Sequence, residues 1–389
     1  MKYNFDEIIP RRGTSCVKWD RCDDPEMLPL WVADMDFRAA PCIQEALQKR
    51  LDHGIFGYVE VPESYYESVI NWFSRRHGWK MQREHILYTT GVIPAIAAIL
   101  QSITKPGDKV IMQTPVYNCF FSLLRNAQNV LVENPLVCND QYFQIDLEDF
   151  ERKIVSEDVK VFLLCNPHNP VGRVWTKEEL TRLGDICLKH NVFVISDEIH
   201  NELVMPGYHY TPFASIKPEF AQNAAVCTSS SKSFNIAGLQ CANITVPDAR
   251  VRTLIDKGIN INETCDVNPF GVVALQAAYT PEGEEWLEQL MQYVYGNYQY
   301  LCEFLEKHLP QIRVTRSEGT YLAWVDCSAL GMTSVELEEK LRKEAHVWFT
   351  NGQAYNPTGS TYMRINLACP RAILSKALDK FYDFCEKSL

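Results

Sequence analysis

Residues 176–198 read TKEELTRLGDICLKHNVFVISDE, and the passage from the first half of that stretch to the second decides the fold. Thr176 stands where a helix N-cap belongs, and Glu179, three residues on, completes a capping box. "VFVISDE" then runs as a short β-branched strand. Ahead of the helix lies "VKVFLLCNP", another buried-strand pattern, so the whole forms a β-α-β crossover. Working outward, "DKVIMQTP" and "NAAVCTSSS" are strands of the same kind, and from about residue 85 to 245 apolar runs alternate with amphipathic stretches. That alternation predicts the α/β class, a mostly parallel sheet covered by helices on both faces.

Beyond "NPFGVVALQAAYTPEGEEW" the pattern changes to long polar-apolar helices around residues 283–308. Short strands follow near "TYLAWVD" and "TYMRINLA", with helical segments between and after them. The expected organisation is an N-terminal segment (1–40), a large domain (41–282) and a smaller C-terminal α/β domain (283–389). The first of these is rich in proline, charge and aromatics and ends on "LPLWVADMDF"; such a segment is expected to wrap the surface or cover a site.

Composition narrows the function classes. At 389 residues the chain exceeds the size at which one core usually keeps growing, and 46% hydrophobic with 22% charged residues is that of a folded globular protein. A formal charge of −11 argues against a broad grip on nucleic acid, and the pairs Arg11–Arg12 and Arg75–Arg76 read as solvated faces. Fourteen cysteines are scattered without a Cys-x-x-Cys, and "MKYNFDEIIPRRG" lacks the apolar core of a signal peptide, so a reducing cytoplasmic setting is expected. The longest aliphatic stretch, "GVIPAIAAIL", is broken by proline and falls short of the roughly 20 residues a bilayer crossing needs. Nine histidines show no His-x-x-x-His pairing, so no metal site is expected.

Ligands of open α/β sheets gather at the carboxyl ends of the strands, and four such ends carry unusual residues here. In "YTTGVIPAIAAIL" a glycine turn enters an apolar helix with Pro94 in its first turn, leaving the amides of Gly91, Val92 and Ile93 for an anion or simply for a turn. "CNPHNPVG", residues 165–172, places two Asn-Pro steps after a buried strand and forces an extended loop. In "ISDEIH", Asp197 emerges at a strand end, as a functional carboxylate or as a helix cap. "TSSSKSFNIAGLQ", residues 228–240, sets Lys232 after three serines, where a snorkelling surface lysine is the ordinary alternative. Jointly the four fit one ligand, a phosphorylated aldehyde whose phosphate rests on loop amides and serine hydroxyls while a desolvated lysine bonds the aldehyde carbon. Pyridoxal 5′-phosphate is that ligand.

At this point the chain resembles, over almost its whole length, the fold-type I pyridoxal-phosphate enzymes of the class I/II aminotransferase superfamily. "LPLWVADMDF", "GYVEVPESYYESVINWF", "TGVIPAI", "TPVYNCF", "NPHNPVGRVW", "SDEIH" and "SKSFNIAGLQ" are most similar to the MalY/PatB-type cystathionine β-lyases. The resemblance implies that Lys232 bonds the cofactor and later serves as general base at the substrate's α-carbon. It implies that Asp197 pairs with the pyridine nitrogen, Asn169 donates to the phenolic oxygen, and Tyr117 stacks on the ring. Gly91, Val92, Ser229 and Ser231 would hold the phosphate, and Tyr58 would reach it from a neighbouring subunit, which implies a homodimer. Arg364 has support of its own: Tyr362, Arg364 and Asn366 alternate with Met363, Ile365 and Leu367 along one strand. Its guanidinium suits bidentate capture of a substrate α-carboxylate or, alternatively, a surface ion pair.

Two departures from the wider superfamily stand out. Gln240 occupies a position where many relatives carry a phosphate-binding arginine, and His200 one where aminotransferases commonly have tyrosine. Both fit the lyase branch, and the resemblance implies that His200 is a cofactor contact. The resemblance implies β-elimination from cystathionine or related cysteine S-conjugates, with half-transamination as the alternative fate of the same carbanion. Arg371 reads as an exposed residue at a helix start. A non-catalytic regulator on the same fold ranks below both enzymes, since no DNA-binding segment precedes the core.

Overall fold

The computed structural model describes residues 2–261 and 267–388. Its central sheet has seven strands: β1 (Ile86–Thr89), β2 (Lys109–Thr114), β3 (Val130–Pro135), β4 (Val159–Cys165), β5 (Phe193–Asp197), β6 (Ala224–Thr228) and β7 (Ala242–Thr245). They lie in the order β1-β7-β6-β5-β4-β2-β3. All neighbouring pairs are parallel except those made by β7, which runs antiparallel to both β1 and β6.

Both faces of this sheet are covered, which accounts for the continuous apolar runs of its strands. Leu163 and Ile195 pack with helix α1 (Val92–Ile103) on one side. Their neighbours Phe162, Leu164 and Val194 pack with helix α2 (Lys177–Lys189) on the other. The predicted capping box is present: the Glu179 amide donates to Thr176 Oγ1 at 3.1 Å, and the Thr176 amide donates to Glu179 Oε2 at 2.8 Å.

Register decides where the chemistry falls. Cys165 of β4 pairs with Asp197 of β5, and Asp197 pairs with Cys227 of β6. Three strands therefore end at one level, and the residues that follow them share one edge.

The C-terminal part opens on a single helix, α3 (Pro281–His308), and holds four antiparallel strands: β8 (Arg313–Val314), β9 (Leu322–Asp326), β10 (Thr350–Asn351) and β11 (Tyr362–Asn366), ordered β8-β9-β11-β10. Helix α4 (Arg371–Ser388) closes it. The N-terminal segment is tied to this part. Leu28–Pro29 pairs in parallel with Val347–Trp348, Trp31 stacks on Trp348 with centroids 4.4 Å apart, and Asn366 Nδ2 donates to the carbonyls of Val32 and Asp34.

Several arginines differ from their expected surface setting. Arg11 pairs with Asp34 and Asp36, and Arg12 donates to four backbone carbonyls of residues 19–27. Arg76 pairs with the buried Glu202. Arg371 does begin its helix, but it is half-buried and donates to Asn297 Oδ1 at 2.7 Å. In each case a carboxylate or carbonyl distant in sequence takes up the guanidinium, and doublet spacing carries no sign of such a partner.

Candidate active site

Asp197, the last residue of β5, is buried, and its Oδ1 accepts the Ile199 amide at 3.1 Å. Burial, with the adjacent Glu198 charge adding to it, pushes its carboxyl up to about 7. Glu198 is itself buried but well partnered, accepting from Tyr210, from Ser196 Oγ at 2.8 Å and from the Phe213 amide at 3.0 Å. Asp197 thus lies in a dry position suited to an adjacent cation.

Its setting makes the apoprotein pH-sensitive. A carboxyl raised from about 3.9 to about 7 binds more protons folded than unfolded between those values. The stability it permits is full below about pH 4 and is lost as pH rises through about 7. Urea unfolding of apoprotein at acidic and alkaline pH is expected to show that Asp197→Asn removes a loss on the order of 2–4 kcal/mol. Identical pH slopes in the two proteins would contradict this.

The loop after β4 brings Asn169, also buried, whose Oδ1 accepts Arg364 Nη1 at 3.3 Å. Both Asn-Pro bonds of the loop are cis. Gly172 closes the loop with φ +73°, and a Cβ there would sit 2.9 Å from Ser317 Oγ. Arg173 then anchors it, donating to Glu318 at 2.8 Å and to Glu179 at 2.9 Å.

Beyond β6, Ser229 Oγ donates to the Cys241 carbonyl at 2.6 Å and accepts the Ser231 amide at 3.0 Å. Ser230 and Ser233 have buried hydroxyls without partners. Lys232 lies in the turn that follows and donates from Nζ to the Ala33 carbonyl at 2.7 Å. Burial first, then the charge of Arg364, lowers its proton affinity, while Asp34 and Asp197 oppose them.

Arg364 on β11 is buried, donates from Nη2 to the Trp31 carbonyl at 2.8 Å, lies 4.8 Å over the Tyr355 ring, and leaves Nε unpartnered. It is therefore no surface ion pair. His200 is buried against the edge of Tyr321 with Nδ1 unpartnered, and burial, with Lys232 and Arg364 contributing, drives its pKa down to about 3. It is a neutral imidazole at ordinary pH. Tyr117, which follows β2, is close enough to Arg364 and Asp197 for their charges to act on its phenol, which burial pushes far up.

Gly91 has extended backbone, with φ 171°, and the helix behind it begins at Val92. The amides of Val92 and Ile93 have no intrahelical acceptor there. Gln240 is exposed with φ +50°. Tyr58 is 94% exposed and stands on the surface of the single chain.

The fold thus gathers Asp197, Asn169, Lys232, Arg364, Tyr117 and His200 at one edge of the sheet. Sequence reasoning missed the main-chain carbonyls of Trp31 and Ala33 and the Tyr321 hydroxyl, which donates to Ala33 at 2.9 Å. It also missed Cys119, whose thiol lies within hydrogen-bonding reach of the Tyr117 phenol. Only the position of Cys119 in "TPVYNCF" offered a signal.

Known proteins share this fold. A family model described as aminotransferase class I and II matches residues 25–381. Over 379 residues the chain is 41% identical to cystathionine beta-lyase PatB of Bacillus subtilis (strain 168), covering 96% of this chain and 98% of that protein. The crystal structure of a PLP-bound putative aminotransferase from Clostridium difficile 630 has a TM-score of 0.95 and 44% identity, covering 98% of this chain and 99% of that one. Cystalysin from Treponema denticola, whose crystal structure contains a pyridoxal 5′-phosphate cofactor, has a TM-score of 0.96 and 35% identity, covering 100% of both chains. Matched through nearly its whole length by the family model and by each of these proteins, the chain belongs to the aminotransferase class I and II family.

Proposed function

We propose that this protein is a pyridoxal-phosphate-dependent carbon–sulfur β-lyase, cleaving L-cystathionine or related cysteine S-conjugates to a thiol, pyruvate and ammonia. One observation carries the reading: Lys232, in the turn after β6, and Asp197, at the end of the neighbouring β5, lie at one edge of the sheet in a chain 41% identical to a cystathionine beta-lyase along nearly its full length.

The residues present fit the cofactor. Asp197 is a buried carboxyl with no hydrogen-bonded cation among the described residues, which suits a protonated ring nitrogen. His200 Nδ1 is a buried orphan, and such atoms need a partner. Asn169 spends Oδ1 on Arg364, so Nδ2 is left to donate to a phenolic oxygen. Gly91, Val92, Ser229 and Ser231 would hold the phosphate once the Ser229 hydroxyl turns from the Cys241 carbonyl and releases the Ser231 amide, with the helix dipole substituting for the arginine absent at Gln240. Tyr117 would stack on the ring. Pyridoxal 5′-phosphate, when bound, supplies an electron sink that makes the substrate's α-proton removable.

The chain's own residues do the rest. Lys232 Nζ, its proton affinity lowered by burial and Arg364, takes the α-proton as general base. Asp197 keeps a proton at the ring nitrogen. Arg364 fixes the substrate by its α-carboxylate with two parallel donors. Arg364→Lys keeps the charge but loses the fork, so KM is expected to rise about 10- to 100-fold with a smaller change in kcat. An unchanged KM for cystathionine removes Arg364 from carboxylate binding.

The second subunit enters through Tyr58. Its 94% exposure, beside Ile55 at 66% and Phe56 at 55%, makes an apolar surface that a second copy would cover, and we place Tyr58 in the partner's phosphate site. We read residues 41–282 and 283–389 as the two domains, with residues 1–40 strapped to both through Lys232 and Asn366. A cytoplasmic setting accords with thirteen unpaired cysteines among the described residues; no helix among them is long and apolar enough to cross a membrane.

Lyase and aminotransferase share Lys232, Asp197 and Arg364, so the assay must separate them. Purified protein with L-cystathionine is expected to release thiol and pyruvate without an oxo acid. Glutamate formation that depends on added 2-oxoglutarate, with no pyruvate in its absence, replaces the lyase with an aminotransferase.

A further inference from the structure

Outside the residues already assigned, the chain buries a second group of charges, and it lies against the site. The Lys18 side chain has no exposure and donates to Asp36 at 2.6 Å. Asp36 also accepts from Arg11 at 2.5 Å and from the Trp19 indole at 2.8 Å. Arg11 reaches Asp34 with its other nitrogen at 2.6 Å, and Lys18 Nζ lies 3.6 Å from the second Asp34 oxygen. Two cations thus balance two carboxylates.

Buried pairs of this kind add little net stability, and their best-attested use is to fix one arrangement among several. The arrangement fixed here is that of residues 31–36. Arg11 also holds the Met35 carbonyl at 3.0 Å, and Asn235 grips the same residue from the large domain through its amide and its carbonyl. Between these anchors Ala33 presents its carbonyl to Lys232 Nζ at 2.7 Å, with Asp34 as the next residue.

We propose that Arg11, Lys18 and Asp36 are positioning residues for Lys232: their cluster fixes the Ala33 carbonyl and the Asp34 carboxylate against the amine, so the N-terminal segment governs the protonation of that amine. The proposal deepens the cofactor-lysine reading and rests on it.

The groups facing Lys232 come from every element around it. Asp34 comes from the N-terminal segment, Asp197 from β5, Cys119 from the helix start after β2, and Arg364 from β11, while the neutral His200 lies beside them. Of these only Asp34 is shared with the buried cluster, where Arg11 and Lys18 offset its charge. Removing Arg11 leaves Lys18 alone to offset both Asp34 and Asp36, so the pair carries a net negative charge that strengthens the amine's hold on a proton. Removing the Asp34 charge does the reverse.

The test follows the visible band of the holoenzyme against pH, since its midpoint reports the proton at Lys232 Nζ. Arg11→Gln is expected to raise that midpoint and Asp34→Asn to lower it, each by about one unit, while Arg11→Lys stays within a few tenths of the parent value. A merely structural role moves the apoprotein's unfolding temperature but gives no opposed pair of shifts. Midpoints that stay put, or move in one direction in both variants, overturn the proposal. If Arg11→Gln does not fold, Asp34→Asn decides alone, a lowered midpoint supporting the proposal and an unmoved one overturning it. A parent preparation reconstituted with pyridoxal 5′-phosphate that shows no visible band overturns the cofactor reading itself, and this proposal with it.

Discussion

Lys232→Ala protein is expected to lose the visible imine band of the parent after purification with pyridoxal 5′-phosphate and to lose β-elimination activity by about 10⁴-fold or more, because one side chain supplies both the covalent anchor and the general base. Its fold should survive. The lost hydrogen bond is one of two to the Ala33 carbonyl, and Tyr321 keeps the other, so the unfolding temperature of the apoprotein is expected to change little. Absorbance and pyruvate release check the first expectation, and circular dichroism on heating checks the second. A Lys232→Ala protein that keeps the parent's visible band and appreciable turnover would remove Lys232 from the centre of the account.

Asp197→Ala should produce the second largest loss. With the carboxylate gone, a positively charged ring nitrogen would face a dry strand end without its counter-ion, and breaking such a buried pair costs about 3–5 kcal/mol. In rate this corresponds to about 10²- to 10⁴-fold in kcat, together with weaker cofactor retention on dialysis. Steady-state kinetics at saturating cofactor separate the two losses. Asp197→Glu should recover little, because the added methylene has no room where Ile195, Ser196 and Glu198 are all buried. Retention of full kcat in Asp197→Ala would mean that the ring nitrogen is held by another group.

Much of the fold was legible because its signals are local. The capping box of Thr176 and Glu179 and the doubly buried strands around it are written in consecutive residues, whereas the register that aligns Cys165, Asp197 and Cys227 is a pairing between strands that only the fold shows. Asp197, Asn169 and Lys232 were legible as polar residues set at the ends of apolar runs, and Arg364 from strand alternation. The N-terminal contribution was hidden for a physical reason. Lys232 and Arg364 are capped by the carbonyls of Ala33 and Trp31, and every residue carries a carbonyl, so residue identity is silent about which one is used.

Charge misled in the same region. Arg11 reads as a solvated cation because Asp34 and Asp36 lie more than twenty residues away, and nothing in "CVKWD" marks Lys18 as a fully buried lysine. Pairing across such a separation is a property of the folded chain. His200 stood out in sequence as a replacement, whereas its neutrality comes from burial beside two cations, Lys232 and Arg364.

The most direct measurement of the central claim is a turnover experiment with the holoenzyme, excess L-cystathionine and no oxo acid, in which free thiol, pyruvate and the visible band are recorded together. The expected result is one pyruvate for each thiol over many turnovers, with the band restored when substrate is exhausted. Product formation that stops after one equivalent per site, with the band lost until 2-oxoglutarate is added, would contradict the lyase assignment and identify a transaminating enzyme.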